Sequence, residues 1–179
     1  MSKFTAVVLA AAASMAIGGV AQAKAVTAKD PASVEKALKD GGYPAELDKD
    51  DSGDPMIGAR ADGTDFTVHF YGCQENRNCK RVQFMFSEPE PRNASLERLN
   101  EWNAENYFGR AYRTDAGGVR LEMDVDLDDG GMSPALFVDN VEWWSATLSS
   151  LQKHIRAEAP SEADVGEGKS VPTSPRAER

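Results

Sequence analysis

One α+β domain, an antiparallel sheet of about five strands with helices on one face in the order α-β-β-β-α-β-β-α, is the fold this sequence predicts. Three observations predict it. Apolar residues alternate with polar ones at Phe66, Val68 and Phe70, at Val82, Phe84 and Phe86, and most fully at Val119, Leu121, Met123, Val125 and Leu127, the pattern of strands with one buried face. Spacings of four and three then take over at Phe137, Val141, Trp144, Leu148, Leu151 and Ile155, the stripe of an amphipathic helix. Finally, Pro and Gly clusters fall between these runs, where elements must stop.

The first residues have a different purpose. Met1-Ser2-Lys3 is followed by an uncharged apolar run from Phe4 to Val20 and by Ala21-Gln22-Ala23, the positive, apolar and small-x-small parts of a cleavable export signal. The run is shorter than the roughly 20 residues of a bilayer span, and Ser14 and Gly18-Gly19 weaken it further as an anchor. Residues 1–23 are therefore expected to be removed after Ala23, leaving a periplasmic or secreted protein with no membrane segment. Removal takes one Lys and no acid, leaving 19 bases against 29 acids, a net charge of −10. So acidic a chain repels nucleic acid and anionic lipid, which bind through Lys and Arg.

Within the domain, Asp30-Pro31 supplies an N-cap and a first-turn proline, Val34, Ala37 and Leu38 share a face, and Gly41-Gly42 ends a short first helix. Asp48 to Pro55 reads as a polar turn, with the first strand beginning at Met56-Ile57. The next two strands carry Cys73 and Cys79 at their joined ends. An exported pair so close in sequence is expected to form a disulfide, worth about 2 kcal/mol for so short a loop. Setting Cys73 opposite Cys79 puts Phe70 opposite Val82, Val68 opposite Phe84 and Phe66 opposite Phe86 on one face, with the disulfide on the other beside Gln83 and His69; a slip of one residue destroys both patterns. Residues 74–78 form the tip.

Pro89 and Pro91 close this part of the sheet, and a second helix starts near Ser95 with Leu96, Leu99 and Trp102 inward. Two more strands flank Asp115-Ala116-Gly117-Gly118, Gly130-Gly131 stops the second, and Ser133-Pro134 caps the long last helix. At ~1.5 Å per residue that helix runs about 35 Å, more than a small sheet needs, so its far end is expected to meet a partner. The domain spans about residues 29–156. Residues 159–179, rich in Pro, Ser, Glu, Gly and Lys without apolar periodicity, read as a disordered tail.

Chemistry is sparse. There is no G-x-S-x-G elbow, H-E-x-x-H pair or Gly-rich loop followed by Lys, so no catalytic residue and no cofactor is assigned. His69 falls on the polar face of a strand, and His154 near the end of the last helix, where a cation suits the dipole. Asp48, Asp50, Ser52 and Gly53 match the start of an EF-hand loop. However, Ala59 stands where its bidentate Glu belongs and Pro55 at the eighth position, leaving a weak metal candidate and otherwise a solvated turn. Asp124, Asp126 and Asp128 read as a solvated edge or face. Trp143 and Trp144 lie ~100° apart around the helix and cannot both enter one core. Trp144 belongs to the stripe and Trp143 to its margin. Trp143, Trp144, Leu148, Leu151 and Ile155 together form the candidate interface.

Asn100-Glu101-Trp102-Asn103, then Phe108-Gly109-Arg110-Ala111-Tyr112, the run Leu121 to Leu127, Gly130-Gly131 and Trp144 carry a resemblance. Over about Ser33 to Ile155 the chain resembles the YbjN family, labelled bacterial sensory transduction regulators, and Tyr71-Gly72-Cys73 with Cys79 is similar to its exported members. The resemblance implies a fold like that of type III secretion chaperones and brings no enzyme activity or catalytic residues. Those chaperones work as cytosolic dimers, a task that an exported chain cannot inherit from its fold. The expectation is a non-catalytic periplasmic protein-binding or regulatory domain, with an unidentified protein or a second copy of the chain as partner. A calcium- or small-ligand-responsive sensor using residues 48–53 is the alternative, and a periplasmic hydrolase ranks below both.

Overall fold

The computed structural model describes residues 24–157 and gathers the alternating runs into one six-stranded antiparallel sheet. In chain order the elements are α1 (Pro31–Asp40), β1 (Ala45–Lys49), β2 (Pro55–Ala61), β3 (Thr64–Tyr71), β4 (Arg81–Glu88), α2 (Leu96–Glu105), β5 (Arg110–Arg113), β6 (Val119–Asp126) and α3 (Pro134–Arg156). The strands lie in the order β1-β2-β3-β4-β6-β5: α2 carries the chain to the far edge before it turns back inward. The α+β class holds, with one strand more than the periodicity counts. That strand is β1, Ala-Glu-Leu-Asp-Lys, whose last four residues are exposed and which shows no alternation. An edge strand needs only main-chain bonds to its neighbour, here Ala45 opposite Ala59 through Lys49 opposite Pro55, so composition conceals it.

The core lies between the sheet and the helices. Ile57, Val68, Phe84 and Leu121 have no exposed surface on the sheet side, and α3 lays Phe137, Val141, Trp144, Leu148, Leu151 and Ile155 against them. The Trp144 ring sits 5.6 Å from Phe66 and 5.7 Å from Phe84. Val34, Ala37 and Leu38 of α1 and Leu99 and Trp102 of α2 complete the cluster. Leu96, expected inward, is 67% exposed: it lies about 120° from Trp102 around the helix and opens the first turn, where no described residue covers it. Ser95 and Ser133 cap α2 and α3 by accepting the Arg98 and Leu136 N–H groups. Asp30 does not cap α1. Its carboxylate turns instead to Lys24 Nζ at 2.7 Å. No helix among the described residues is long and apolar enough to cross a membrane.

The β3–β4 register follows the apolar pattern, with Val68 opposite Phe84 and Phe70 opposite Val82. The ladder runs from Thr67 and Met85 to Tyr71 and Arg81, so Phe66 and Phe86 lie just beyond it. Cys73 and Cys79 are joined, but not on the face of Gln83 and His69 as alternation predicts: Cys79 is fully buried and Cys73 packs on the core. The ladder has ended by then, and Gly72 at φ +69° turns the chain, so strand alternation does not extend to either cysteine. Inside the disulfide, Gln74 and Arg77 bond to each other around Glu75 and Asn76.

The far end of α3, expected to seek a partner, is covered by this chain. The Asn93 N–H donates to the Ile155 carbonyl at 3.2 Å. Arg98 Nη2 donates to the His154 carbonyl at 2.6 Å, and His154 Nε2 meets the Arg98 carbonyl at 2.9 Å. The connection from β4 and the start of α2 thus occupy the extra length.

Candidate interaction surface

The residues that carry the family resemblance turn out to join α2, β5 and α3. Trp102 Nε1 donates to Ser150 Oγ at 3.0 Å. Asn103 acts as a short extra strand: its Oδ1 accepts the Ala111 N–H and its Nδ2 donates to the Ala111 carbonyl, both at 2.9 Å. Gly109, at φ +78°, brings the chain so near β6 and α3 that an added Cβ would lie 3.2 Å from the Glu122 carbonyl and 3.3 Å from Thr147. The outer edge of β5 is therefore occupied at Ala111. On the opposite edge, Glu35 Oε1 of α1 accepts the Leu47 N–H at 3.2 Å. Both sheet edges are blunted by side chains, which disfavours edge-to-edge pairing.

The sheet face away from the helices is polar and largely satisfied by itself. Arg110 donates twice to Glu122 Oε2, at 3.1 and 2.6 Å, and the Tyr112 hydroxyl donates to Glu122 Oε1 at 2.6 Å. Arg81 Nη1 and Gln83 Nε2 share Asp124 Oδ1 at 2.6 and 3.1 Å, and the Arg81 guanidinium lies 4.8 Å above the Tyr71 ring. The acidic series is not at an edge, since β6 is interior, but it does line a solvated face: Asp124 and Asp126 are exposed, Asp124 pairs with Arg81, and Asp128, just past the strand, lies 3.4 Å from Lys80. A partner on this face would have to strip charges that already satisfy one another, with little gain.

Glu122 gives this network a pH dependence. Burial pushes its carboxyl up, but hydrogen bonds from Tyr112 and Arg110, with the charges of Arg110 and Arg120, outweigh burial and hold it below the ordinary value. A carboxyl lowered on folding contributes stability above its unfolded pKa, and that contribution fades as pH falls through the folded value. Urea midpoints measured from about pH 7 to 3 should fall less steeply for Glu122→Gln than for the parent, because the exposed carboxylates act in both proteins. Parallel curves would show that Glu122 contributes nothing to acid lability.

Of the predicted interface, Trp144, Leu148, Leu151 and Ile155 are at most 2% exposed and belong to the core. A regular 3.6-residue stripe is the face a helix buries in its own domain, which is why they cannot also serve a partner. Trp143 differs. It is 50% exposed, and its ring lies 4.8 Å from that of Phe108, itself 40% exposed, with Tyr107 next in chain and almost wholly in solvent. Phe108 was not legible as a surface partner. Its only signal is its place just before Gly109, whose left-handed turn sets it on α3.

The remaining candidates do not converge. Asp48 Oδ1 accepts the Lys49 N–H, and Asp50 Oδ1 accepts those of Ser52 and Asp54, so the carboxylates shape the turn and Asp48 belongs to β1. Among the described residues no group of three or more His, Cys, Asp and Glu side chains is placed to hold a metal ion. His69 Nε2 meets Thr67 Oγ1 at 2.9 Å on the open face, where burial above all lowers its pKa. His154 ties α3 to α2.

An open six-stranded antiparallel sheet backed by three helices, with an aromatic pair left partly in solvent, defines an α+β domain. Residues 30–157 match the YbjN family, described as "Putative bacterial sensory transduction regulator", and the chain belongs to that family. Among solved structures it is similar to the Yersinia pestis type III secretion chaperone SycH, crystallised in complex with a stable fragment of YscM2, at 15% identity and TM-score 0.41 over 72% of this chain and 97% of that one. No curated protein matches the chain.

Proposed function

We propose that this chain works, after export, as a non-catalytic regulatory domain that binds another protein through Trp143, Phe108 and Tyr107. Its export rests on the pattern of residues 1–23, which lie outside the described residues, as does the expected tail. The observation that carries the binding role is the contacting, tilted ring pair of Trp143 and Phe108, half in solvent where α3 meets the turn at Gly109. Large aromatic side chains held in place lose little entropy on contact and bury much apolar area, which makes them the usual anchors of interfaces. The polar sheet face and the blunted edges offer less. A second copy of the chain is one form the partner can take.

The test uses a photo-crosslinking residue at Ala146, one turn from Trp143, and a control at Lys36 on α1, in cells that make the protein. Covalent adducts are expected from position 146 and not from 36, and combining the probe with Trp143→Ala and Phe108→Ala should lower their yield at least tenfold, or about 1.4 kcal/mol. An adduct of twice the chain mass would assign the partner as a second copy. Equal yields from both positions, or yields indifferent to the aromatic pair, would remove the reading.

A further inference from the structure

We propose that the Cys73–Cys79 disulfide is a local redox switch whose state is transmitted to the β1–β2 turn through Asn76. The tip it closes is held in an unfavourable backbone. Glu75, Asn76 and Asn78 have φ of 49°, 59° and 53°, the left-handed region that costs any residue with a Cβ; asparagine tolerates it better than glutamate. Tight turns of this shape usually carry Gly, and here there is none between the cysteines. The tip nevertheless makes a specific contact: Asn76 Nδ2 donates to the Ser52 carbonyl at 3.1 Å and to Asp54 Oδ1 at 2.9 Å. Together the tip, β1 and the start of α1 line a groove of about 760 Å³ that includes Pro31, Leu47, Lys49 and Asn76. The disulfide therefore fixes one wall of that groove.

The two sulfurs are not equivalent. Cys79 is fully buried, and its neighbour Lys80 is bonded to Tyr71 and Leu127, so that end stays seated. Cys73 is partly exposed and is the sulfur that an incoming thiolate meets. Reduction by a small dithiol proceeds by attack of its thiolate on Cys73 Sγ, with Cys79 leaving as thiolate. The second thiol of the reductant then closes on its own sulfur in the mixed disulfide and releases Cys73. Two electrons pass from the dithiol, which ends as a cyclic disulfide, and its two protons go to the cysteine thiols. Freed of the crosslink, residues 74–78 relax from the left-handed backbone and Asn76 leaves Ser52 and Asp54.

Hydrogen exchange read by mass spectrometry, on the purified protein before and after dithiothreitol, tests this, with free thiols counted by alkylation. Amides of residues 50–54 and 74–77 are expected to exchange at least tenfold faster when both thiols are free, while those of Val68, Phe70, Val82 and Phe84 keep their rates. Asn76→Ala in the oxidised protein should speed residues 50–54 alone, and reducing that variant should speed them no further. Unchanged exchange at 50–54 with both thiols free would overturn the switch. So would acceleration throughout β3 and β4, which would make the disulfide a staple of the whole domain. A Cys73→Ser, Cys79→Ser variant, which needs no reductant, must show the same pattern as the reduced protein.

Discussion

Replacing Trp144 with alanine is expected to destabilise the domain by about 3–5 kcal/mol, a large part of a margin of roughly 5–15 kcal/mol. The side chain is fully buried and is the one on which Phe66 of β3 and Phe84 of β4 converge from the sheet, so the cavity left behind would open at the junction of the two layers. Its Nε1 has no hydrogen-bond partner among the described residues, so the loss is one of packing rather than of polar contact. Trp144→Phe, which keeps a ring and removes the unpaired donor, should therefore cost only about 1–2 kcal/mol. The adjacent Trp143→Ala should cost about 1 kcal/mol, the value of a half-exposed aromatic contact. Urea denaturation of the three variants decides the point, and a Trp144→Ala protein within 1 kcal/mol of the parent would show that the layers do not meet there.

Asn103→Ala should cost about 2–3 kcal/mol and also change how the protein behaves at high concentration. One side-chain amide satisfies both the N–H and the carbonyl of Ala111, a residue that is only 4% exposed. Alanine leaves both groups unpaired on an edge strand, the arrangement that recruits a strand from another molecule. A lower denaturation midpoint with light scattering that rises with concentration is the expected result. Asn103→Asp should do no better, since it keeps the acceptor for the Ala111 N–H but turns a carboxylate oxygen toward the Ala111 carbonyl. A stable, strictly monomeric Asn103→Ala would mean that the edge is closed by other means.

Much of the fold could be read from residues whose spacing matches an element's own period. The β3–β4 register, the β6 alternation and the α3 stripe follow directly, because burying one face forces a repeat of two or 3.6. What resisted was structure that depends on neighbours. β1 exists because β2 offers it main-chain partners, and Leu96 is exposed because no element among the described residues lies over the first turn of α2. The Glu122 network needs the pairing of Arg110 with Glu122, which sets the β5 and β6 side chains on one face.

The last helix divides what each level determined. By its periodicity alone the sequence determined that Trp144, Leu148, Leu151 and Ile155 form one apolar stripe and that Trp143 lies outside it. Only the tertiary structure decided that the stripe is buried in this domain's own core, against the sheet and the other helices, and that Trp143 meets Phe108 at the surface. The physical reason is that a helical repeat specifies which side chains share a face but carries no information about what covers that face, since covering groups come from chain tens of residues away. The same holds at the cysteines. Their pairing is local and legible, whereas the reach of Asn76 to Ser52 and Asp54 across the sheet is set by the packing of two hairpin ends.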